Sequence, residues 1–287
     1  MKLQEELNYL KGFIKLSKED AVKRDLLEAF LSERNKCLLL DADSILFKVA
    51  HYHVDTELDF AEMYEQYHDQ VREIVNTIEE DNFVIDNVIH FFSTCSNNFR
   101  YEIDSTYKAN REKTPLTEIV KHFKWYVISV LESEGENVKY SDTLEADDLI
   151  AEAVEVLDQH YPIVASIDKD LKQIPCAHFD YYKIDVKDED GNIVTVFKVD
   201  DNGELKEVVL TDFRGFSYTT PQEGYEMLLE MLLIGDTSDN IKGVKGIGKV
   251  KAKKLLKERN NFGKLRAVFE AYGDSKRLRN NVKLMKL

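Results

Sequence analysis

Short apolar runs that end near aspartate alternate with amphipathic segments along most of the chain. Three runs, at 36–43, 87–94 and 161–171, have the length and content of strands buried on both faces. Apolar residues recur at helical spacing in four other segments, 3–35, 57–80, 116–134 and 143–160. Strands that alternate with helices predict a mostly parallel central sheet with helices on both faces. The pattern therefore predicts an α/β fold.

The pattern changes after residue 180. Three β-type runs separated by the turn sequences DEDGN and DDNGE predict a small antiparallel meander at 181–210. Helices are predicted at 222–233 and 249–259, on either side of the stretch GVKGIG, which is the order of a helix–hairpin–helix module. The predicted parts are an N-terminal helical extension, an α/β core and a C-terminal module with a basic end, at 1–36, 37–221 and 222–287.

Composition excludes several classes of protein. The chain has 287 residues, 43% of them apolar, and no apolar run approaches the ~18 residues of a membrane helix. Its three cysteines form neither a metal-binding pair nor an even disulfide set. We expect a cytoplasmic protein with reduced cysteines and no membrane partner.

Charge is distributed unevenly between the body and the C-terminus. The formal net charge is −15, yet the segment from Lys242 onward has fifteen lysines and arginines against three acids. This asymmetry predicts one surface that binds polyanions and another that binds cations. A solvated basic tail is the alternative that charge alone leaves open.

Eight carboxylates lie at predicted strand ends and helix starts: Asp41, Glu145, Asp147, Asp148, Asp168, Asp170, Asp236 and Asp239. The three on the helix at 143–160 can face one side of its first turn, where Asp142 and Glu145 are spaced like a capping box. Asp168 and Asp170 share a face if the preceding strand continues through them. Crowded carboxylates repel unless cations neutralise them, and oxygen-only ligands suit Mg²⁺ or Mn²⁺. Taken singly, each acid could instead be a helix cap, a turn residue or a partner of a helix dipole.

The stretch GVKGIG is followed directly by a helix rich in lysine. Gly243, Gly246 and Gly248 are expected where the backbone turns tightly or approaches another segment closely. Free N–H groups at a helix start, beside Lys249, Lys251 and Lys253, can bind phosphates without reading sequence. An ordinary loop remains the alternative for the glycines alone.

Several blocks together resemble one known family. The stretches LEADDLIA, SIDKDLKQI and IGDTSDNIKGVKGIGKVKAKKLL are similar to signature blocks of the 5′-nuclease superfamily. LLLDADSILFK resembles its first block and YEIDSTYKANREKTP its basic arch segment, placed at about 95–115. The superfamily includes phage 5′→3′ exonucleases and flap endonucleases, the 5′-nuclease domain of bacterial DNA polymerase I and T-even phage ribonuclease H. The likeness runs from about residue 37 to 260, and it implies a PIN-like fold.

The resemblance also implies roles for individual residues. It places Asp41, Glu145, Asp147 and Asp148 at a first metal site and Asp168, Asp170, Asp236 and Asp239 at a second. By the same likeness, Lys108 and Arg111 contact the scissile phosphate and act in catalysis with Asp41, Asp147 and Asp148. Tyr107 and Lys48 match positions near the 5′ end of the substrate. The hairpin at 243–248 would hold the duplex, with K⁺ as an optional ion there.

The implied function is a structure-specific 5′ nuclease that uses two Mg²⁺ ions, for which Mn²⁺ can substitute. It would hydrolyse phosphodiester bonds at 5′ ends or flaps of DNA, as a monomer acting in DNA replication, in the host cytoplasm if the gene is a phage gene. RNA primers and RNA/DNA hybrids are open alternatives as substrates, and exonuclease versus flap preference is not decided by the motifs. A DNA-binding protein of the same fold with weakened or lost activity is the alternative function.

Three positions depart from the family pattern. Ser93 lies where the family has an aspartate of the first metal site, and Met231 and Val250 lie where it has lysines. Ser93 is the feature that favours the alternative of lost activity. The resemblance supplies no function for the 181–210 insertion.

Overall fold

The structure, a computed structural model, describes residues 2–13, 16–55, 57, 59–157, 161–188, 190–199, 205–257 and 259–287. The helices in these ranges are α1 (Lys2–Lys11), α2 (Lys18–Ser32), α3 (Asp43–Tyr52), α4 (Phe60–Glu80), α5 (Arg100–Ile103), α6 (Pro115–Glu134), α7 (Ala146–Val156), α8 (Pro221–Ile234), α9 (Lys249–Leu256), α10 (Asn261–Tyr272) and α11 (Ser275–Met285). The strands are β1 (Asn35–Asp41), β2 (Val84–Ser93), β3 (Asn137–Ser141), β4 (Pro162–Ala165), β5 (Ala177–Asp185), β6 (Thr195–Val199), β7 (Leu205–Val209), β8 (Thr211–Tyr218), β9 (Gly235–Asp236) and β10 (Ile241–Lys242). A 3₁₀ turn covers Asp170–Gln173.

A six-stranded sheet forms the centre, in the order β3-β2-β1-β4-β5-β8. The first five strands of that order are parallel, and β8 pairs with β5 antiparallel. Every residue of β1 after Asn35 is buried, which the continuous apolar run requires of a central parallel strand. The chain direction across the sheet reverses between β1 and β4. Ligand sites in α/β sheets lie beyond the carboxyl ends of strands at such a reversal. The predicted mostly parallel α/β fold is confirmed.

Helices cover both faces of this sheet. Helices α1 to α4 and α6 pack on one face in a large apolar core, to which Leu3, Leu7 and Leu10 of α1 contribute. Helix α7 and the 3₁₀ turn pack on the other face, and α8 to α11 surround a third core. Within the described ranges, no helix combines the length and apolarity needed to cross a membrane. The three-part division of the chain stays a prediction.

Three predicted elements differ in extent, and one strand of the sheet was not predicted. The helix expected at 3–35 is two helices, because Ser17 caps α2 after a break that begins at Gly12. Strand β3 was not predicted, since its exposed Asn137–Ser141 sequence lacks an apolar run. The strand expected at 161–171 ends at Ala165. The helix expected at 143–160 starts at Ala146, and residues 158–160 lie outside the described residues.

The predicted meander is divided between two sheets. Residues 181–185 belong to β5 of the central sheet, whereas β6 and β7 pair with each other as a separate antiparallel hairpin. An isolated bridge between Lys187 and Ile193 closes the first predicted turn. The second predicted turn falls at 200–204, outside the described residues. Strand β5 enters the central sheet because its first residues, Ala177 to Asp180, are buried between β4 and β8.

Candidate active site

The site begins at the reversal of the sheet, where β1 ends at Asp41. This carboxylate is 5% exposed and accepts a hydrogen bond from the Ser166 hydroxyl, 2.7 Å away and just beyond β4. Burial and then the negative charges of Asp43 and Asp168 raise the pKa of Asp41 to about 7, against the lowering effect of the Ser166 hydrogen bond. The fold therefore places a carboxyl group where its anionic form is disfavoured.

Helix α7 points its first turn at the same place. Glu145 is its N-cap, and the capping box joins Glu145 to Asp148 rather than to the predicted Asp142, because Asp148 is the N3 residue. Burial, followed by repulsion from Asp41, Asp168 and Glu145, raises the pKa of Asp147 well above its usual range. Asp147 thus lies close to acids from three segments, namely the end of β1, the turn after β4 and the start of its own helix.

Asp168 and Asp170 follow β4 in a turn, not in a continuing strand as predicted. The Asp168 side chain accepts the backbone N–H of Asp170 at 2.9 Å, which fixes the start of the 3₁₀ turn. Burial raises the pKa of Asp170 to about 7, and Asp168 and Asp236 raise it as well. This interaction links the acids after β4 to the loop after α8.

Asp236 and Asp239 lie in that loop and border the same cleft. The carboxylate of Asp236 accepts the N–H and hydroxyl of Ser238, which, with other hydrogen bonds, outweigh burial and lower its pKa. A cleft lined by Glu145, Asp147, Asp170, Asp236 and Asp239 brings the two predicted carboxylate groups together. Apolar side chains also line the cleft, those of Met231, Ile241, Leu284, Met285 and Leu287.

The predicted arch segment lies over this cleft and supplies its cations. Lys108 forms an ion pair with Glu145, and Arg111 forms one with Asp239 at 2.7 Å. Burial would raise the pKa of Glu145, but the charges of Lys108 and Arg100 and the hydrogen bonds it accepts outweigh burial and lower it. The arch therefore pairs cations with acids from both groups.

Tyr107, which the resemblance matches to a position near the 5′ end of the substrate, is buried beside the cleft. It is 2% exposed, and its hydroxyl lies 2.8 Å from a Glu145 oxygen and 2.9 Å from an Asp239 oxygen. Its ring packs into the core of α8 to α11. In this structure Tyr107 joins α7 to the loop after α8 and is not available to stack on a base.

Arg100 is a functional residue that the sequence analysis missed. Its guanidinium makes two hydrogen bonds to Asp148, of 2.6 and 2.7 Å, and donates a third to the Leu284 carbonyl. Asp148 in turn accepts the backbone N–H of Glu145 at 3.0 Å. Both oxygens of Asp148 are engaged, so this acid holds the start of α7 rather than facing the cleft as a free ligand. The sequence feature that could have identified Arg100 is its position directly after Phe99, in a polar segment.

Ser93, the position that departs from the family, has a structural partner. Its hydroxyl accepts the backbone N–H of Ala146 at 3.0 Å, at the start of α7. Its own N–H donates to Asp43, which is also paired with Lys124 at 2.7 Å. The serine therefore helps to position the helix that presents Glu145 and Asp147.

At two of the three glycines of the glycine-rich hairpin, the backbone turns tightly or approaches another segment closely, as predicted. A Cβ at Gly243 would lie 2.2 Å from the Ile234 carbonyl carbon, and Gly246 has a φ of +77°. Gly248 has an extended backbone, and a Cβ there would meet nothing within 4 Å, so the requirement for glycine at 248 is wrong. Helix α9 starts directly after it, without a side-chain cap.

The predicted lysines are exposed along α9. Lys249, Lys251 and Lys253 face solvent, while Ala252 and Leu256 pack inward. Lys48 is exposed on α3, a helix that packs in the large apolar core and not in the core of α8 to α11. Burial and the charge of Lys183 lower the pKa of Lys48. The structure thus separates Lys48 from the hairpin lysines.

The donor set fits hard divalent cations. The acids of the site present only oxygen, and two that border the cleft, Asp147 and Asp170, together with Asp41 at the end of β1, have pKa values raised chiefly by burial and then by repulsion from neighbouring acids. A cation would remove that repulsion. Among the residues that the structure describes, no three acidic, histidine or cysteine side chains are already arranged around one point as metal ligands are.

The fold and the cleft define an α/β domain with an acidic site near the carboxyl edge of its sheet. A family model described as the 5′-3′ exonuclease, N-terminal resolvase-like domain, matches residues 36–202. The match covers more than half of the chain, and the chain therefore belongs to this family of 5′-3′ exonucleases and flap endonucleases.

Individual relatives agree with this assignment. The 5′-3′ exonuclease of Mycoplasma pneumoniae is 27% identical over 241 residues, which cover 81% of this chain and 75% of that protein. The flap endonuclease Xni of Colwellia psychrerythraea is 30% identical over 181 residues, which cover 60% of this chain and 51% of that protein. The bacteriophage T5 D15 flap endonuclease, solved with DNA and metal ions, superposes with a TM-score of 0.60 at 15% identity, covering 88% of this chain and 89% of that one. The structural match shows that the fold is shared.

Proposed function

We propose that this chain is a divalent-metal-dependent, structure-specific 5′ nuclease that hydrolyses phosphodiester bonds at 5′ ends or flaps of DNA. The observation that carries the proposal is the convergence of carboxylates from three separate segments, the start of α7, the turn after β4 and the loop after α8, in one cleft beneath a cationic arch. Family membership supports the reaction class. The intact cleft does not favour a protein that has lost activity.

Two ions, Mg²⁺ with Mn²⁺ as a substitute, would be held by acids on both sides of the cleft. Asp41, Glu145 and Asp147 would hold the first, and Asp168, Asp170, Asp236 and Asp239 the second. When bound, such ions supply a hydroxide nucleophile at neutral pH and stabilise charge on the phosphate oxygens. Asp148 would act through Arg100, by fixing the helix start that presents Glu145 and Asp147.

Lys108 and Arg111 would position the scissile phosphate. Both now pair with carboxylates, and a phosphate brought into the cleft offers them another anion. The Arg111 side chain is 57% exposed, so it can turn toward a ligand without leaving a buried site. Cations placed at the reacting phosphate stabilise the charge that grows there in the transition state.

The C-terminal helices would hold the duplex. The uncapped start of α9 and its exposed lysines provide N–H groups and charge for the phosphate backbone, and K⁺ at the hairpin is an additional proposal. We propose the three-part organisation on this basis, with 222–287 as the binding module. A monomer is sufficient, since the cleft and the module lie in one chain.

Cleavage of 5′-labelled flap, nicked and single-stranded substrates tests the reaction. The protein should cut the flap or nicked DNA with Mg²⁺ or Mn²⁺ and not with EDTA. Asp147→Asn should reduce cleavage by orders of magnitude while the protein stays folded. Full activity in EDTA would refute the metal-dependent mechanism, and an RNA/DNA hybrid in the same series tests the RNA alternative.

A charge-reversal variant separates binding from cleavage. Changing Lys249, Lys251 and Lys253 to glutamate should weaken duplex binding and reduce its salt dependence, by about one unit of slope for each lost phosphate contact. The matched control changes three exposed lysines elsewhere in the same way, namely Lys121, Lys139 and Lys187. Equal loss of binding in both variants would show that only net charge matters.

A further inference from the structure

The outer strands of the sheet extend past the candidate active site. Pairing between β4 and β5 ends with Ala165 opposite Phe179, but β5 continues to Asp185 in pairing with β8. We call the two-stranded extension, residues 180–185 and 211–215, the arm. Because β4 and β5 are parallel, the arm projects at the carboxyl edge, where the acidic cleft lies. The hydroxyl of Tyr181 in the arm donates to the Asp41 carbonyl at 2.9 Å, which joins the arm to the cleft.

A β-bulge redirects one aromatic side chain of the arm. Asp180 pairs with Gly215 and Lys183 pairs with Phe213, so Tyr181 and Tyr182 together oppose Arg214. An extra residue of this kind changes the direction of a side chain, and bulges are common beside active sites. Tyr181 is buried, whereas Tyr182 is 49% exposed. The bulge thus places one aromatic ring outward.

Two cations surround the start of the arm. The Nη1 of Arg214 and the Nζ of Lys172 each lie 3.6 Å from Oδ2 of the buried Asp180. The Arg214 guanidinium also lies over the Tyr182 ring, 4.5 Å from its centroid. Among the described residues, the side chains of Lys172 and Arg214 donate no closer hydrogen bond to another group than the 3.6 Å contacts with Asp180. One buried acid therefore holds two cations in place and leaves donors facing solvent.

The position of Lys172 connects this cluster to the reaction. Lys172 lies in the same 3₁₀ turn as Asp170, two residues further along. A strand whose phosphate reaches the cleft would therefore pass close to Lys172 and Arg214. An exposed tyrosine beside an arginine can stack on a base, but only on one that is not paired within a duplex.

We propose that Lys172, Arg214 and Tyr182 form a binding site for single-stranded nucleic acid beside the cleft. The two cations bind a backbone phosphate, and Tyr182 stacks on an unpaired base. The inference rests on the proposed nuclease function, and it assigns a role to the strands that carry the insertion.

Binding in EDTA tests this site without cleavage. Fluorescence anisotropy would compare a duplex with a single-stranded 5′ overhang and a blunt duplex, at several salt concentrations. Tyr182→Ala should weaken binding of the overhang substrate about tenfold, and Tyr182→Phe should leave it unchanged, since the ring alone stacks. Arg214→Gln and Lys172→Gln should each reduce the salt slope by about 0.7. Blunt-duplex binding should not change, and Lys187→Gln, an exposed lysine in the same insertion, is the control.

Two results would overturn the site. If Tyr182→Ala and Arg214→Gln bind the overhang substrate as tightly as the wild type does, the cluster is only structural. Equal losses on blunt duplex would mean that the cluster does not select single strands. Failure of the nuclease proposal would look different, because wild-type protein would then bind these substrates but leave them uncut with Mg²⁺.

Discussion

Arg100 should contribute more to stability than any exposed ion pair of the chain. Its side chain is 3% exposed and that of Asp148 is 12% exposed, and two short hydrogen bonds join them. Removing one member of such a buried pair leaves the other charge without a partner, at about 3–5 kcal/mol. Arg100→Met should therefore lower the free energy of unfolding by about that amount. Arg100→Lys keeps the charge but loses the paired geometry, and it should lose less.

Denaturant unfolding of four proteins measures this interaction. The set is wild type, Arg100→Met, Asp148→Asn and the double variant, each at one pH and without metal. Since the two side chains contact each other, the double variant should be less destabilised than the sum of the single variants, by about 1–3 kcal/mol. The exposed pair Arg266–Glu270 provides a matched cycle, with expected coupling below about 1 kcal/mol. Additive losses at Arg100 and Asp148 would refute the reasoning, because the pair would then carry no specific energy.

The remaining predictions concern pH, glycine and serine. Asp41 and Asp170 have pKa values raised to about 7, mainly by burial, so the fold holds more protons than the unfolded chain between about pH 4 and 7. Thermal unfolding in EDTA should therefore show stability that falls as pH rises through this range, and Mg²⁺ should reverse the fall. Gly243→Ala places a Cβ 2.2 Å from backbone and should lower the unfolding temperature and duplex affinity, whereas Gly248→Ala, with nothing within 4 Å, should change neither. Ser93→Asp should lower the Mg²⁺ concentration that gives half-maximal cleavage, since it adds a carboxylate at the start of α7. An unchanged value would mean that position 93 does not face the metals.

Apolar runs predicted the central strands well because burial on both faces leaves a strong sequence pattern. Strand β3 lies at the edge of the sheet with alternating exposure, and its sequence has no such run. The end of β4 was missed for a related reason. Residues 166–170 continue the sequence of the strand, but their direction is set by Ser166, whose hydroxyl bonds to Asp41 and to the backbone N–H of Asp168. Contacts between segments far apart in the chain decided these boundaries.

The carboxylates were predictable as a set, but their individual roles were not. Spacing along α7 placed Glu145, Asp147 and Asp148 together, and it could not show that Arg100 engages Asp148. The partner comes from a segment 48 residues away, and its guanidinium is oriented by a carbonyl of α11. Tyr107 illustrates the same limit, since the polar segment around it does not show that its hydroxyl contacts both Glu145 and Asp239. Its burial depends on the core formed by α8 to α11.

The ion pairs of the arch make metal binding and phosphate binding interdependent. Lys108 and Arg111 now neutralise Glu145 and Asp239, which are also proposed metal ligands. If an ion were held by these carboxylates, Lys108 and Arg111 would be free to bind a phosphate. If a phosphate were bound by the two cations, the carboxylates would be free to hold an ion. Each ligand should therefore strengthen binding of the other by the same factor, because such coupling is reciprocal at equilibrium. The complete set of charges for hydrolysis would then assemble only when ions and substrate are present together.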